Sequence, residues 1–376
     1  MTVTVVTLKE LADGERRVAM SPETAKKIRA LGGTIVLEPD AGFSAGFPDA
    51  AYADAEFTDA DSALAKADVL LCVQAPADDR LARLKPGAVV IGILAPHASD
   101  ARVSALKDGN ITSFAMELLP RTTRAQAMDV LSSQAGMAGY KAVLIAALTA
   151  PRFFPMLTTA AGTIRPSKVL VVGAGVAGLQ AIATARRLGA QVEGFDVRPE
   201  TKEQIQSLGA KFLDLGVSAK GEGGYARELT AEERAEQQKR LAEHLKSVDV
   251  IVTTAAVPGR PAPKIISAAM VEGMKAGSVI VDLAAETGGN CELTRAGETV
   301  EVGGVSVVGP TNLASMGALH ASEMYARNLH NFLVLMLKEG ALNIDWEDDL
   351  IQGCCLTHGG EIRHLPTKQR IEGGAV

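Results

Sequence analysis

The stretch "KVLVVGAGVAGLQAIATARRLGAQVEGFDVR", Lys168 to Arg198, decides the fold. It opens on a short valine- and leucine-rich run, the pattern of a strand buried on both faces. Gly173, Gly175 and Gly178 follow directly, and a helical pattern starts near Val176. In such a strand–turn–helix unit each glycine has its own function. The first permits the tight turn, and the second lets a pyrophosphate approach the backbone. The third lets the helix sit close to the strand, its N-terminus facing the phosphates, so Val176 and Ala177 join the glycines as candidate contacts. Asp196 ends the next strand, near the spacing of roughly 20 residues expected of the carboxylate that binds the adenosine ribose hydroxyls. A carboxylate there repels a 2′-phosphate, which predicts NAD(H) over NADP(H). Val197 and Arg198 follow it. Arg198 is either a phosphate ligand that argues the other way or a solvated surface charge, and the carboxylate carries the greater weight.

On either side the alternation of short apolar runs with helical patterns continues. Before the motif, "TVTVV", "PETAKKIRAL", "TIVLE", "DSALAKA", "DVLLCV", "DDRLARL", "AVVIGIL", "DARVSALKDG" and "ITSFAM" have the rhythm of a parallel α/β sheet. After it, "VDVIVTTA", "GSVIVDLAA" and "VSVVGPTN" extend a second series. "HASEMYARNLHNFLVLMLKEG" reads as a long helix and "CLTHGGEIRH" as a hairpin turning at His358-Gly359-Gly360. The expectation is an α/β protein of two Rossmann-like lobes, with parallel sheets flanked by helices and a nucleotide cleft between them. Residues 1–133 with 316–376 form one lobe and 134–315 the NAD(H)-binding lobe.

The 376 residues suit two domains of ordinary size. Although 47% of them are hydrophobic, no apolar run reaches the roughly 18 residues of a membrane span, and the longest is interrupted, as in "AVLIAALTAPRFFP". The N-terminal stretch lacks the order of features that marks a secretory leader, so the chain reads as soluble and cytosolic. Cys72, Cys291, Cys354 and Cys355 show no CxxC spacing, which predicts reduced structural thiols and no metal. A net charge of −6 without a basic block argues against nucleic-acid binding.

Three further stretches carry chemistry. "VTTAAVPGRPAP", with Thr253, Thr254, Ala255 and Pro258, follows a strand at the carboxyl edge where dinucleotides lie, and is otherwise an ordinary Pro/Gly turn. "GVSAKGEGGYAREL", Gly216 to Leu229, is small and glycine-rich with Tyr225 its one aromatic residue, and so forms either a lid or a plain connection. The helix after it has Thr230 and Glu233 placed for a capping box. In "RTTRAQAMDVLSSQ", Arg121 to Gln134, a helix would align Gln126, Asp129 and Ser132/Ser133 on one face, with Thr123 and Gln126 as its capping box. A cap explains Gln126 alone. Arg121, Asp129 and Ser132 are better explained as a wall that holds the amide and ribose of a nicotinamide.

"PRTTRAQAMDVLSSQ", "LTTAAGTIRPSKVLVVGAGVAGLQAIATARRLGA", "GGYAREL", "TTAAVPGRPAP" and "DLAAETGGNC" together resemble the NAD(H)-binding component, domain I or alpha-1 subunit, of proton-translocating nicotinamide nucleotide transhydrogenase. The resemblance runs over nearly the whole chain. It implies that Arg121, Gln126, Asp129 and Ser132 hold the nicotinamide end, that Tyr225 is the mobile-loop tyrosine, and that Asp196 is the ribose carboxylate. It also implies a homodimer that passes hydride between NADH and NADP+ held by an NADP(H)-binding partner component, coupled to proton movement through a membrane-embedded subunit. The chain itself would be a peripheral protein at the inner face of the plasma membrane.

The homologous alanine dehydrogenases share the fold, the start "GERRVAMSPE" and the glycine motif. Their substrate-binding lysine in "KVKEP", catalytic histidine in "LHLAP" and aspartate in "DVAIDQGG" align with Gln74, Ile93 and Glu286. Oxidative deamination needs groups that handle protons and grip a carboxylate, whereas hydride passage between two nicotinamides needs neither. A non-enzymatic sensor of NADH would use the same glycines and Asp196 but would have no need of the nicotinamide-side residues.

Overall fold

A computed structural model of the chain describes residues 2–216, 230–256 and 259–373. Tyr225, Pro258 and all of the glycine-rich stretch beyond Gly216 lie outside those residues. The chain forms two compact units, Met1–Gln134 with Ser315–Val376, and Ala135–Ala314.

The first unit carries β1 (Thr4–Thr7), β2 (Thr34–Leu37), β3 (Glu56–Phe57), β4 (Val69–Gln74), β5 (Val89–Ile93) and β6 (Thr112–Ala115). The second carries a hairpin, β7 (Leu157–Thr159) and β8 (Gly162–Ile164). Then come β9 (Lys168–Val172), β10 (Gln191–Phe195), β11 (Lys211–Phe212), β12 (Val250–Thr253), β13 (Val279–Asp282), β14 (Thr299–Val302) and β15 (Val305–Val308). Back in the first unit lie β16 (Leu337–Lys338), β17 (Ala341–Leu342), β18 (Cys355–His358) and β19 (Glu361–Ile362).

Both large sheets have the doubly wound order. The first runs β3-β2-β1-β4-β5-β6-β18-β19 and the second β11-β10-β9-β12-β13-β15-β14. Within each, the strands β1 to β6, and β9 to β13 with β15, pair in parallel. Antiparallel strands close one edge of each sheet, β18 on β6 and β14 on β15. Helices cover both faces, which is why the central strands are continuous apolar runs: Val69 to Val73 are buried without exception, as are Val169 to Val172. In this topology the strand order reverses between β1 and β4, and between β9 and β12, and ligands belong in the crevice at the carboxyl ends of those strands.

Local sequence chemistry sets the helix starts. Ser21 and Thr24 form a reciprocal capping box ahead of Pro22–Ala30, with proline at the first position where its missing N–H costs nothing. Thr230 and Glu233 do the same for Ala231–Leu245, as their spacing predicts. The hairpin β18–β19 turns through Gly359 and Gly360, whose φ of 61° and 74° are the left-handed pair that a two-residue turn requires.

The expected helix through Arg121–Gln134 is broken. Thr123–Met128 is a 3-10 segment whose N-cap residue, Thr122, makes no side-chain cap, so the capping box of Thr123 and Gln126 does not form. Asp129 then leaves helical geometry at ψ 92°. A true α-helix runs from Val130 to Thr149, and Asp129 is the residue that starts it. The cause is local. Asp129 accepts from the Ser132 N–H (2.9 Å) and the Ser132 hydroxyl (2.6 Å), satisfying a donor that a continuous helix would have paired with Met128.

A candidate dinucleotide site

The glycine turn of the second unit is built by steric necessity. Gly173 has φ 97°, and a Cβ there would lie 2.5 Å from the Thr254 hydroxyl. A Cβ on Gly178 would sit 1.8 Å from the Gly173 carbonyl oxygen, so the third glycine lets the helix pack onto the turn's own backbone. Gly175 differs: nothing stands within 4 Å of where its Cβ would be, and Gly175 and Val176 are exposed while Ala177 is half-buried. The helix Val176–Arg187 begins at Gly175 with no side-chain cap and no acidic residue in its first turn. Its first N–H groups therefore remain available to an anion, and the open space at Gly175 is where a pyrophosphate would approach. Gly139 supports this helix from below, since a Cβ there would lie 2.0 Å from the Ala177 carbonyl. Motif spacing gives no sign of that fourth glycine.

Thr254 and Ala255 are fixed beside the turn. The Thr254 hydroxyl donates toward the Val172 and Gly173 carbonyls at 3.3 and 3.2 Å. The Ala255 N–H donates to Asn290 Oδ1 (3.0 Å), and Asn290 Nδ2 donates back to the Ala255 carbonyl (2.7 Å). Thr253 is fully buried at the end of β12, and its hydroxyl has no hydrogen-bond partner among the described residues.

Asp196 and Arg198 form one unit. One carboxylate oxygen accepts from the Ala174 N–H (2.7 Å) and Arg198 Nη2 (2.8 Å), the other from the Arg198 N–H and Nε, both at 2.9 Å. Burial alone would raise this carboxyl, but the bonds from Arg198 and Ala174 outweigh it and hold Asp196 below the usual carboxylate range. Arg198 is thus no solvated surface charge: its side chain is 19% exposed and ion-paired. The pairing also weakens the repulsion that an isolated Asp196 would exert on a 2′-phosphate. Val197 lies half-buried between the two.

The other predicted residues stand on the first unit. Arg121 and Gln126 are exposed, Asp129 and Ser132 half-buried, with Asp129 and Ser132 bonded to each other as described. At the carboxyl ends of β4 and β5, the positions aligned with dehydrogenase chemistry are inert. Gln74 Nε2 donates to Glu15 Oε2 (2.7 Å), and the Ile93 N–H donates to the Tyr325 hydroxyl (3.1 Å). Arg17 grips Glu15 through Nε (2.8 Å) and Nη2 (2.7 Å), and its Nη1 donates to Gln134 (2.8 Å). Burial would raise the Glu15 carboxyl, yet Arg17 outweighs it and holds it at about 2. Sequence reasoning missed this buried pair, because nothing in "GERR" tells which arginine turns inward. Glu286 is exposed. All four cysteines are buried free thiols.

Two doubly wound sheets, one carrying an uncapped glycine turn with an acid at the end of its second strand, define a Rossmann-like dehydrogenase architecture with a nucleotide-binding fold. Comparison with known proteins is specific. The N-terminal domain model of alanine dehydrogenase/PNT matches residues 6–138 and the C-terminal domain model residues 142–365. The first portion of the NAD(P) transhydrogenase alpha subunit of Rhodospirillum rubrum is 46% identical over 370 residues, covering 95% of this chain and 96% of that one. The crystal structure of transhydrogenase from Sinorhizobium meliloti superposes with a TM-score of 0.87 at 47% identity, covering 96% of this chain and 99% of that one. Alanine dehydrogenase 1 of Staphylococcus aureus is 26% identical over 298 residues, 77% of this chain and 75% of that one. The chain belongs to the alanine dehydrogenase/PNT family, on the branch of the NAD(P) transhydrogenase alpha subunits. Its role is that of a transhydrogenase component.

Replacing Asp196 by alanine should release Arg198 as well as remove a ribose acceptor. NADH binding is then expected to weaken and NADPH binding to tighten, shifting the ratio of the two affinities by about tenfold or more. Fluorescence titration of both nucleotides measures it; an unchanged ratio would mean that neither residue meets the ribose.

Proposed function

We propose that the chain is the NAD(H)-binding component of a proton-translocating transhydrogenase, passing hydride directly to or from NADP(H) held by a partner component. In this reading the Val176–Arg187 helix start and the glycine turn take the pyrophosphate, with Thr254 and Ala255 lining the crevice and Asp196 taking the adenosine ribose. Arg121, Gln126, Asp129 and Ser132 orient the nicotinamide end, and Tyr225 contributes from the glycine-rich stretch. The bound nicotinamide supplies the hydride, so the chain's own residues need only bind and orient it.

The observation that carries the proposal is the inward pairing of the charges beside Gln74. Arg17 is the cation there, and it is ion-paired with Glu15 and bonded to Gln134. Neither Gln74 nor Ile93 can take a proton, and Arg17 is committed away from a substrate carboxylate. Glu10, the carboxyl beside them that burial raises to about 7, is tied to the Val73 and Gln74 N–H groups, so the set suits a reaction in which no proton changes hands at this chain and disfavours oxidative deamination. Proton movement then belongs to the membrane-embedded partner; among the described residues no helix is long and apolar enough to cross a membrane.

The second unit also offers a surface for a second copy. Leu148, Phe153, Met156 and Ile164 are 89%, 52%, 64% and 44% exposed, around the hairpin β7–β8. From Phe153 to Ile164 there is no charged residue. A two-stranded hairpin is marginal in water by itself, and monomers protect such edges with charge. A homodimer that buries this patch removes both problems. Sedimentation should find a dimer, and Leu148→Glu with Phe153→Glu should convert it to monomer; a wild-type monomer would contradict the assignment.

Gln126 is the cleanest probe of the nicotinamide end because it is exposed, whereas Asp129 also starts a helix. Gln126→Ala is expected to slow hydride transfer to an NADP(H)-loaded partner by at least about tenfold at saturating NADH while weakening NADH binding far less. Stopped-flow transfer beside equilibrium titration tests both halves. A variant that binds NADH weakly but transfers at the original rate once saturated would show the loop to be a binding handle only.

A further inference from the structure

The loop that carries Gln126 and Asp129 has few bonds of its own. Its 3-10 segment, Thr123–Met128, ends at Asp129, and the last carbonyls of such a segment lack partners within it. One of them, on Ala127, is nevertheless met twice. Asn328 Nδ2 and Asn331 Nδ2, from successive turns of the helix Ala318–Leu333, each donate to it at 2.9 Å.

Asn328 does more than cap. It is buried, 8% exposed, and its Oδ1 accepts the Ser133 hydroxyl at 2.7 Å. A single side-chain amide therefore ties the end of the 3-10 segment to the first turn of the helix Val130–Thr149, spanning the break at Asp129 from the outside. Ser133 accepts in turn from Gln134 Nε2 (3.0 Å), whose amide also donates to the Ala321 carbonyl (3.1 Å). The other end of the loop is pinned separately: Arg124 forms ion pairs with Asp348 and Asp349. Asp348 is itself held as the N-cap of Asp349–Cys354, accepting from Leu350 and Ile351.

We infer that Asn328 is a positioning residue for hydride transfer: by holding Ala127 and Ser133 at once, it fixes the angle between Gln126 on one side of the break and Asp129 with Ser132 on the other. The inference rests on the reading that these three side chains orient the nicotinamide. Asn328 acts on them through backbone, not by touching substrate. A loop displacement of about 1 Å is enough to matter, because transfer rate falls steeply with loss of alignment whereas adenosine binding on the glycine turn does not.

Asn328→Asp changes one atom group, keeping the acceptor for Ser133 and turning the donor that faces the Ala127 carbonyl into an acceptor. With the full chain and an NADP(H)-loaded partner component, the expected result is transfer slowed about tenfold at saturating NADH with the NADH dissociation constant within about twofold of the original. Asn331→Ala, which removes the second donor and leaves Asn328 in place, should slow transfer in the same direction but less, and it decides the matter in the same terms where Asn328→Asp does not fold. A loss of thermal stability with transfer unchanged at saturation would make Asn328 structural only and overturn the inference. So would a rate loss that disappears on saturation. Gln126→Ala, run alongside, separates the two levels: if it slows transfer and the asparagine variants do not, this inference alone fails, and if it too leaves transfer unchanged, the reading beneath it fails as well.

Discussion

Four donors converge on the Asp196 carboxylate, one from the backbone of the glycine turn and three from Arg198. The second unit depends on that convergence. The Ala174 bond joins the end of β10 to the turn after β9, so the acid that would read the ribose also fixes the loop that would receive the pyrophosphate. Arg198 keeps the carboxylate ionised despite its burial, since an isolated buried charge would shift its pKa and become neutral. The same arginine offers a route to tolerance of a 2′-phosphate. On the proposed reading, discrimination between the two nucleotides would be a property of the pair, not of the acid.

The first unit solves a different problem with the same fold. Its sheet has the same doubly wound order, but the residues after β1 run Leu8-Lys9-Glu10-Leu11-Ala12, with no glycine turn to cradle a phosphate. Glu10 instead places its own carboxylate on the Val73 N–H at 2.6 Å, and burial pushes that carboxyl up to about 7. Glu15 is neutralised by Arg17 and Tyr325 bridges the Cys72 and Val73 carbonyls, while the buried Thr7 hydroxyl at the end of β1 has no partner among the described residues. On the proposed reading, the unit's part in the chemistry falls to the loop from Arg121 to Ser132. A family that holds both alanine dehydrogenases and transhydrogenase subunits keeps one fold for both, so the reaction is set by site residues and not by the fold.

Much of this is legible in sequence because buried parallel strands are written as unbroken Val/Ile/Leu runs and glycine turns have fixed spacing. The strands Lys168–Val172, Val250–Thr253 and Val279–Asp282 fall where those runs lie. The break at Asp129 is not legible: Thr123 and Gln126 satisfy a capping pattern, and periodicity does not distinguish a 3-10 segment from a turn of α-helix. Nor does any local pattern reveal a clamp between residues as remote as Ser133 and Asn328, 195 positions apart. The pairing of Arg198 escapes sequence for a related reason. Spacing locates an acid and a base at a strand end, but their mutual bond depends on side-chain rotamers, which composition does not record.

On the proposed reading, hydride moves directly between two nicotinamides with no proton exchanged at this chain. Transfer from NADH carrying deuterium at both C4 positions to NADP+ on the partner component, run in ordinary water, measures this. The expected result is that each NADPH formed carries one deuterium at C4. Product carrying hydrogen from solvent would contradict it, because the two electrons would then have to pass through an intermediate carrier whose hydrogen exchanges with water.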